Sequence, residues 1–388
     1  IVDWATSQVV YEGEIRPVKT SIGSFDTVDF TSVRREGQYR IRVGDITTAP
    51  FYINADLWDD SVWRVLNFMF CERCGYPVPG KHGACHAELH GEYKGRIYPV
   101  NGGWHDAADM SQGFEQTGEI AFSMLEMANR AKEKGYTDLY LRLMEEALWG
   151  LNLVMKTRLQ NGDRFQGWGT NLWTDGYIGS TDDRGRHEVR VANSAFVNFL
   201  LSGIEAYASM SIADDPMLRE NLRKIAKEDF GFAVKRFDEL GFKEMSSNPG
   251  HARMTSRSQY MATMSWAASM LYKLTNEKYY ADKAAESIKY ALQCQRTEPL
   301  HDADKTAGFF YRDLDQRSIV HFNHQSRDQV YMQALTALCE AQPHHPHYAT
   351  WEKAIRLFGG YLKNIYRYVQ PYGLIPSGVY QKDEVKDK

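Results

Sequence analysis

From about residue 113 onward the chain is a succession of amphipathic helical patterns joined by alternately short and long connections. That alternation limits the folds open to it more than any other feature. Apolar residues recur with a period near 3.6 over roughly 113–134, 137–160, 189–211, 214–239, 255–275, 277–295, 326–341 and 348–368. The short connections read as helix-hairpin turns. The long ones, 161–188, 240–254 and 296–325, carry Trp, Arg, His and Asp. No strand pattern interrupts the series. The pattern predicts stacked antiparallel helix pairs with the long loops gathered on one face, and an α/α toroid is the natural closure. One more stripe, Trp58, Val62, Val65, Leu66, Phe68 and Met69, adds a helix ending near Cys71, for about nine in all.

Residues 1–53 differ. Short β-type runs such as Val9-Val10-Tyr11, Val28-Asp29-Phe30 and Tyr39-Arg40-Ile41-Arg42-Val43 alternate in period two between Gly, Ser and Asp turns. Four or five strands are few for a complete sandwich, so part of a small β-sandwich is expected there, with the helical domain over 54–388. The chain opens Ile1-Val2-Asp3-Trp4 without an initiator Met, which suggests a processed or shortened protein.

Between the first helix and the series lie residues 72–111, a Gly-rich stretch of roughly forty residues, and so long a loop in a compact domain is usually functional. Three of the five cysteines, Cys71, Cys74 and Cys85, fall at its start beside His82, His86 and His90; Cys294 and Cys339 are far away on apolar helix faces and read as core. An odd, clustered cysteine count argues against a disulfide framework. Cys74, Cys85, His86 and His105 make a ligand set for a tetrahedral structural zinc, with His82 and His90 as substitutes for His105. A metal would order a loop too polar to order itself. Cys71 is expected in the helix core.

The loop ends in Gly102-Gly103-Trp104-His105-Asp106-Ala107-Ala108-Asp109. Two carboxylates three residues apart can share one water, one acting as base and the other orienting it. They are too close in sequence to be the opposed acid and base of an inverting glycosidase, whose carboxyl groups sit roughly 6.5–9.5 Å apart. Aromatics reach 13% of the chain and the net charge is −4 with no basic block, which excludes a nucleic-acid partner of the usual kind. No apolar run approaches the ~20 residues of a membrane span, and nothing calls for an organic cofactor.

Phe70-Cys71-Glu72-Arg73-Cys74-Gly75, Ala84-Cys85-His86 and the 102–109 stretch resemble, in order, the markers of glycoside hydrolase family 9. Glu146-Ala147-Leu148-Trp149-Gly150-Leu151 resembles that family's third barrel helix. Residues 1–53, with Gly37-Gln38-Tyr39-Arg40-Ile41 and Pro50-Phe51-Tyr52-Ile53, look like the end of the immunoglobulin-like module its bacterial members often carry. The resemblance implies an (α/α)6 barrel, here with about nine of twelve helices, and inverting hydrolysis of a β-1,4-glucan. It makes Asp109 the general base and Asp106 its assistant. Where the family has Gly this chain has Ala108. The family's general acid, a Glu near the last barrel helix, has no convincing match, and it is expected beyond Lys388; Glu188 and Glu384 are weak in-chain candidates.

Sugar rings would stack on Trp104, Trp168, Trp173 and Tyr177, with Phe165 also in that loop, and Arg186, His324 and Arg327 would grip hydroxyls. His321 and Asp328 flank the last two. The implied protein is a monomeric, secreted, periplasmic or cell-surface enzyme acting on β-glycan. Two alternatives stand: an exo-acting β-glycosidase on chito-oligosaccharide or a similar β-glycoside, and a non-catalytic glycan-binding protein on a degenerate barrel.

Overall fold

The computed structural model describes residues 1–20, 22–86, 89–105, 112–170, 187–242, 256–299, 306–320, 328–369 and 378–379, without the side chains of 112, 166–170, 187, 188 and 190. The chain divides into two compact units, Ile1–Phe68 with Tyr366–Pro376, and Met69–Ile365 with Ser377–Lys388.

The first unit contains seven short strands among its described residues: β1 (Val2–Asp3), β2 (Arg16–Thr20), β3 (Gly23–Thr27), β4 (Gly37–Arg40), β5 (Arg42–Val43), β6 (Ile46–Thr47) and β7 (Phe51–Ile53). They form one three-stranded sheet in the order β1-β4-β7 and two hairpins, β2-β3 and β5-β6. Tyr39 on β4 is buried and rests on Phe51. Helix α1 (Asp59–Cys71) begins in this unit and runs into the second.

The second unit is built from helix pairs. Helices α2 (Phe114–Glu133) and α3 (Thr137–Lys156) form the first hairpin, α4 (Ala195–Ser211) and α5 (Pro216–Leu240) the second, and α6 (Arg257–Thr275) and α7 (Lys278–Gln293) the third. Helices α8 (Val330–Ala341) and α9 (Tyr348–Tyr366) follow. Helices α2, α4, α6 and α8 pack in succession on one another. They are the inner ring, which explains their composition. A helix with neighbours on both sides is buried nearly all round. Accordingly α4 is buried from Ala195 to Ala206 and α6 from Ser258 to Leu271, with one half-buried residue, Met261. Small residues let these helices approach: a Cβ at Gly203 would lie 2.5 Å from the Trp266 ring. Buried hydroxyls close their own bonds, as Ser202 and Ser265 do by donating to the carbonyls of Ala226 and Ala284 on the outer partners.

Helix ends follow local chemistry. Asp215 accepts from Leu218 N ahead of Pro216, Ser194 accepts from Val197 N, and Ser256 with Gln259 makes a reciprocal cap. These caps hold the starts of α4, α5 and α6. The helices fall where the 3.6 period puts them, to within a few residues, with two corrections. Residues 189–192 continue a strand rather than begin α4, and α3 stops at Lys156 instead of continuing to 160.

The expectation of an uninterrupted helical series also fails. The connections carry β8 (His90–Tyr93) and β9 (Arg96–Pro99), β10 (Gln112–Gly113), β11 (Arg164–Thr170) and β12 (His187–Ala192), and β13 (Phe310–Tyr311) with β14 (Ile319–Val320). The first two and the last two are hairpins, and the middle three a sheet in the order β10-β11-β12. Five of these seven strands have only two to four residues, too few for a period-two signal to rise above loop sequence, and glycines interrupt β11. A buried charge network anchors the middle sheet. Arg164 at the start of β11 donates to Asn198 and Glu205 of α4 and to Asp229 of α5, and Arg158 pairs with Glu228 and Asp229. Among the described residues, no helix is long and apolar enough to cross a membrane.

Candidate metal centre and the ribbon that leads to the acid pair

The loop after α1 is organised by two short extended segments, 72–74 and 103–105. They run antiparallel, with Cys74 N donating to Gly103 O (2.9 Å), His105 N donating to Glu72 O (3.0 Å), and Arg73 opposite Trp104. Gly102 (φ 110°) and Gly103 (φ 65°) carry the chain into the ribbon through backbone conformations that favour glycine.

Side chains alternate across an extended ribbon, so this one has two faces with different chemistry. On the first face lie Cys74 and His105. They meet Cys85 and His86, and one ligand atom of each of the four falls within 4.8 Å of the others. His105 Nε2 is 3.4 Å from His86 Nδ1 and 3.4 Å from Cys85 Sγ, and Cys74 Sγ is 3.7 Å from His86 Nδ1. A tetrahedral site with zinc-type bond lengths needs about 3.3 Å between two nitrogens and about 3.6 Å between nitrogen and sulfur. The cluster has those separations, and all four residues are buried. Gly75 N donates to Cys85 Sγ (3.3 Å), and Glu72 Oε2 stands 3.9 Å from His105 Nδ1, the ring nitrogen turned away from the cluster. Such outer partners orient metal ligands.

The thiols are unequal. The hydrogen bond to Cys85 and burial push the Cys74 thiol up. The same hydrogen bond pushes the Cys85 thiol down against the effect of burial, helped by His105 and His86. The backbone also bends to the cluster: His86 has φ 50°, a left-handed conformation rare outside glycine.

On the second face lie Arg73 and Trp104, and both end on Glu146 of α3, which is fully buried. Arg73 donates from Nε to Oε1 (3.0 Å) and from Nη2 to Oε2 (2.8 Å), Trp104 Nε1 donates to Oε1 (2.8 Å), and Arg142 Nη1 lies 2.9 Å from Oε2. Glu145 pairs with both arginines at 3.1 Å, so the group is electrically neutral. The carboxylates hold the Arg73 guanidinium above its ordinary range against the cost of burial. Its plane is flanked by the rings of Phe70, Tyr76 and Trp149. One turn on, Trp149 Nε1 donates to Gly103 O (2.7 Å), and Gly150 admits the Trp104 ring.

The expected ligand set is thus brought together. His82 is not among it: its ring nitrogens lie 2.7 and 2.8 Å from the carbonyls of Gly83 and Cys71, and His90 is exposed. Cys294 is buried, whereas Cys71 and Cys339 are half-buried. Trp104 corrects an expectation. It is only 3% exposed and its indole is committed to Glu146, so it is not a platform for sugar rings in this structure. Phe165 is likewise core, packed with Cys74, Cys85, Val100 and Leu153.

Asp106 and Asp109 lie outside the described residues, as do Trp173, Tyr177, Arg186, His321, His324, Arg327 and Glu384. The Trp168 and Glu188 backbones pair with Val189 and Gly169 between β11 and β12, and their side chains are not described. Asp328 is described, and burial raises its carboxyl. Sequence reasoning missed Glu146 as the anchor. Its signal was an acid three and four residues before Trp149 and Gly150 on one face of a helix.

Paired helices around an inner ring, with a buried Cys/His cluster in the loop before α2, define a class of helical-barrel proteins. The profile of glycosyl hydrolase family 9 matches residues 58–368. The chain belongs to that family. It is 23% identical over 326 residues to a cellodextrinase of Butyrivibrio fibrisolvens, covering 73% of this chain and 55% of that protein. It is 24% identical over 349 residues to endoglucanase C of Cellulomonas fimi, covering 77% and 30%. The chain therefore spans about half of the first relative and less than a third of the second. Among solved structures, a zinc-binding triple mutant of the family 9 endoglucanase J30 superposes with a TM-score of 0.68 at 20% identity, covering 96% of this chain and 70% of that one. A mutant of a thermostable endoglucanase from Alicyclobacillus acidocaldarius gives 0.68 at 16%, covering 96% and 67%. These likenesses carry the (α/α)6 barrel fold expected from the sequence.

Proposed function

We propose that the chain is an inverting glycoside hydrolase of β-1,4-linked glucan, with Asp109 as general base, Asp106 assisting it, and a structural zinc in Cys74, Cys85, His86 and His105. The observation that carries this reading is the two-faced ribbon. It joins a metal-type cluster and a buried carboxylate anchor at Trp104-His105, and the next residue in the chain is Asp106. In a family 9 chain, that is where a water-activating pair would need a fixed backbone. Neutral His and two thiolates suit zinc, which takes four N/S ligands in a closed structural site. Four protein ligands leave no open position, so the metal would brace the loop and take no part in hydrolysis.

The mechanism derives from the two acids. One carboxylate takes a proton from water as that water attacks the anomeric carbon, and the second orients the water. Close like charges push one pKa of such a pair up, which keeps the other free to act as base. An acid on the opposite face must protonate the departing oxygen; Glu188 and Glu384 are the in-chain candidates. Trp168, Trp173, Tyr177, Arg186, His324 and Arg327 remain proposed sugar contacts. The cellodextrinase relative favours short β-1,4-glucan oligosaccharides as the first substrates to try. We place the enzyme outside the cytoplasm, where such glycans are met, as a monomer, with residues 1–53 as the partial immunoglobulin-like module.

Asp109→Asn tests the assignment. Reducing-end release from cellodextrins should fall by about 100- to 10,000-fold, the range a positioned general base is worth. Oligosaccharide binding should survive. Near-normal turnover in the variant refutes the base, and a complete wild-type enzyme that binds cellodextrins but never cleaves them favours the glycan-binding alternative.

A further inference from the structure

We propose that Glu146 is a positioning residue for the acid pair, acting through the indole of Trp104. The inference rests on the hydrolase reading above and deepens it. A metal in the cluster would grip only one face of the ribbon, through Cys74 and His105, two of the six residues in segments 72–74 and 103–105. On the opposite face Glu146 receives Arg73 from one strand and Trp104 from the other, a single side chain that takes both.

The geometry separates this role from simple packing. Glu146 sits on α3, a long helix that pairs with α2, so its carboxylate is a fixed reference point outside the loop. The cluster ligands, by contrast, all belong to the loop itself. A metal there would brace the cluster internally, and Glu146 ties the ribbon to α3. Trp149, on the same face of α3, adds a second tie at Gly103 O. Asp106 follows the tied dipeptide with no intervening residue, and Asp109 is three further on. The ribbon therefore sets the backbone that leads into Asp106. A misplacement of ~1 Å in a catalytic group can cost on the order of 100-fold in rate.

The test uses the full chain with Trp104→Phe, which removes the N–H that reaches Glu146 together with part of the buried ring, and leaves the arginine pairs in place. Glu146→Gln is the second variant, because its amide oxygen can still accept from Trp104 while the charge is lost. Four quantities are read: bound metal per chain, amide hydrogen exchange over residues 100–112, and kcat and KM on cellodextrins.

For Trp104→Phe, metal content should stay at the wild-type value and KM should hold within about twofold. Exchange over 100–112 should rise, and kcat should fall by ~10- to 100-fold. Glu146→Gln should retain more kcat than Trp104→Phe if its remaining oxygen keeps the indole. Unchanged exchange in a folded Trp104→Phe protein overturns the proposal whatever the activity. So does raised exchange with unchanged kcat, and so does a loss of kcat that merely follows loss of metal. A complete wild-type enzyme without turnover sinks the hydrolase reading, and hydrogen exchange alone then decides whether the tie exists.

Discussion

Gly150→Ala should destabilise this protein, although the same change usually stabilises a helix. Alanine is better than glycine in a helix interior by about 1 kcal/mol. At Gly150, however, a Cβ would lie 2.5 Å from Trp104 Cη2, 2.6 Å from Cζ3 and 3.2 Å from the Cβ of Ala121. Real carbon–carbon contacts begin near 3.5 Å, so the ring must move by about 1 Å. It has little room to do so, because Nε1 is held by Glu146 and the backbone is paired with Arg73. Overpacking of this kind costs about 1–3 kcal/mol, leaving a net loss of up to about 2 kcal/mol after the helix gain. Gly231 supplies the control. It is exposed on α5, and a Cβ added there would have nothing within 4 Å, so Gly231→Ala should gain about 0.5–1 kcal/mol. Urea denaturation of both variants beside wild type measures the difference. A Gly150→Ala protein as stable as Gly231→Ala would show that Trp104 is not held as described.

Metal removal should be costly. Purified protein should hold about one zinc per chain, Cys74→Ser or a strong chelator should release it, and the melting temperature should fall in step. A fully folded, equally stable metal-free protein would refute the brace. Acid should act like the chelator, because His86 and His105 must be neutral to bind; metal analysis after dialysis below about pH 5 checks this. Glu205 gives a separate pH signature. Burial and then the neighbouring Asp229 carboxylate raise it to about 8, against the pull of Arg164 and Arg158. Between the ordinary carboxyl value near 4.3 and that raised value, the folded state holds a proton that the unfolded chain has lost. This contribution to stability is thus present below the unfolded pKa and declines as pH rises through the window. Thermal melts of Glu205→Gln between pH 5 and 8 should show a flatter profile than wild type, and parallel profiles would rule out the assignment.

The helices were legible because their signal is long. A 3.6 period sustained over 12 to 25 residues cannot be confused with a strand, and the inner helices α4 and α6 are mostly apolar or small, with few charged residues. The Cys/His cluster was legible from residue type, since two Cys and two His crowded near a glycine-rich loop suit a metal-type site, and the structure brings the four together. The β-hairpins were not, because β13 and β14 are two residues each and are set by a register that only the fold supplies. Trp104 was misread for a related reason. Beside two acids an exposed indole is a reasonable expectation, but what decides its burial is Glu146, forty-two residues away in sequence. Buried charge groups such as Arg73–Glu146 and Arg164–Glu205–Asp229 join distant segments, and no local pattern announces which arginine meets which acid.

The two-faced ribbon also sets a rule of parity for sequence change. Segments 72–74 and 103–105 work because neighbouring residues point opposite ways, so a one-residue slip would present Arg73 and Trp104 to the metal and Cys74 and His105 to Glu146. A single insertion inside either dipeptide should therefore abolish both attachments at once. The hairpin of β8 and β9 lies between them, closed by a two-residue turn with positive φ at Lys94 and Gly95. Changes at that turn leave the ribbon's parity untouched, while Cys85-His86 and the pairs 73–74 and 104–105 must stay intact.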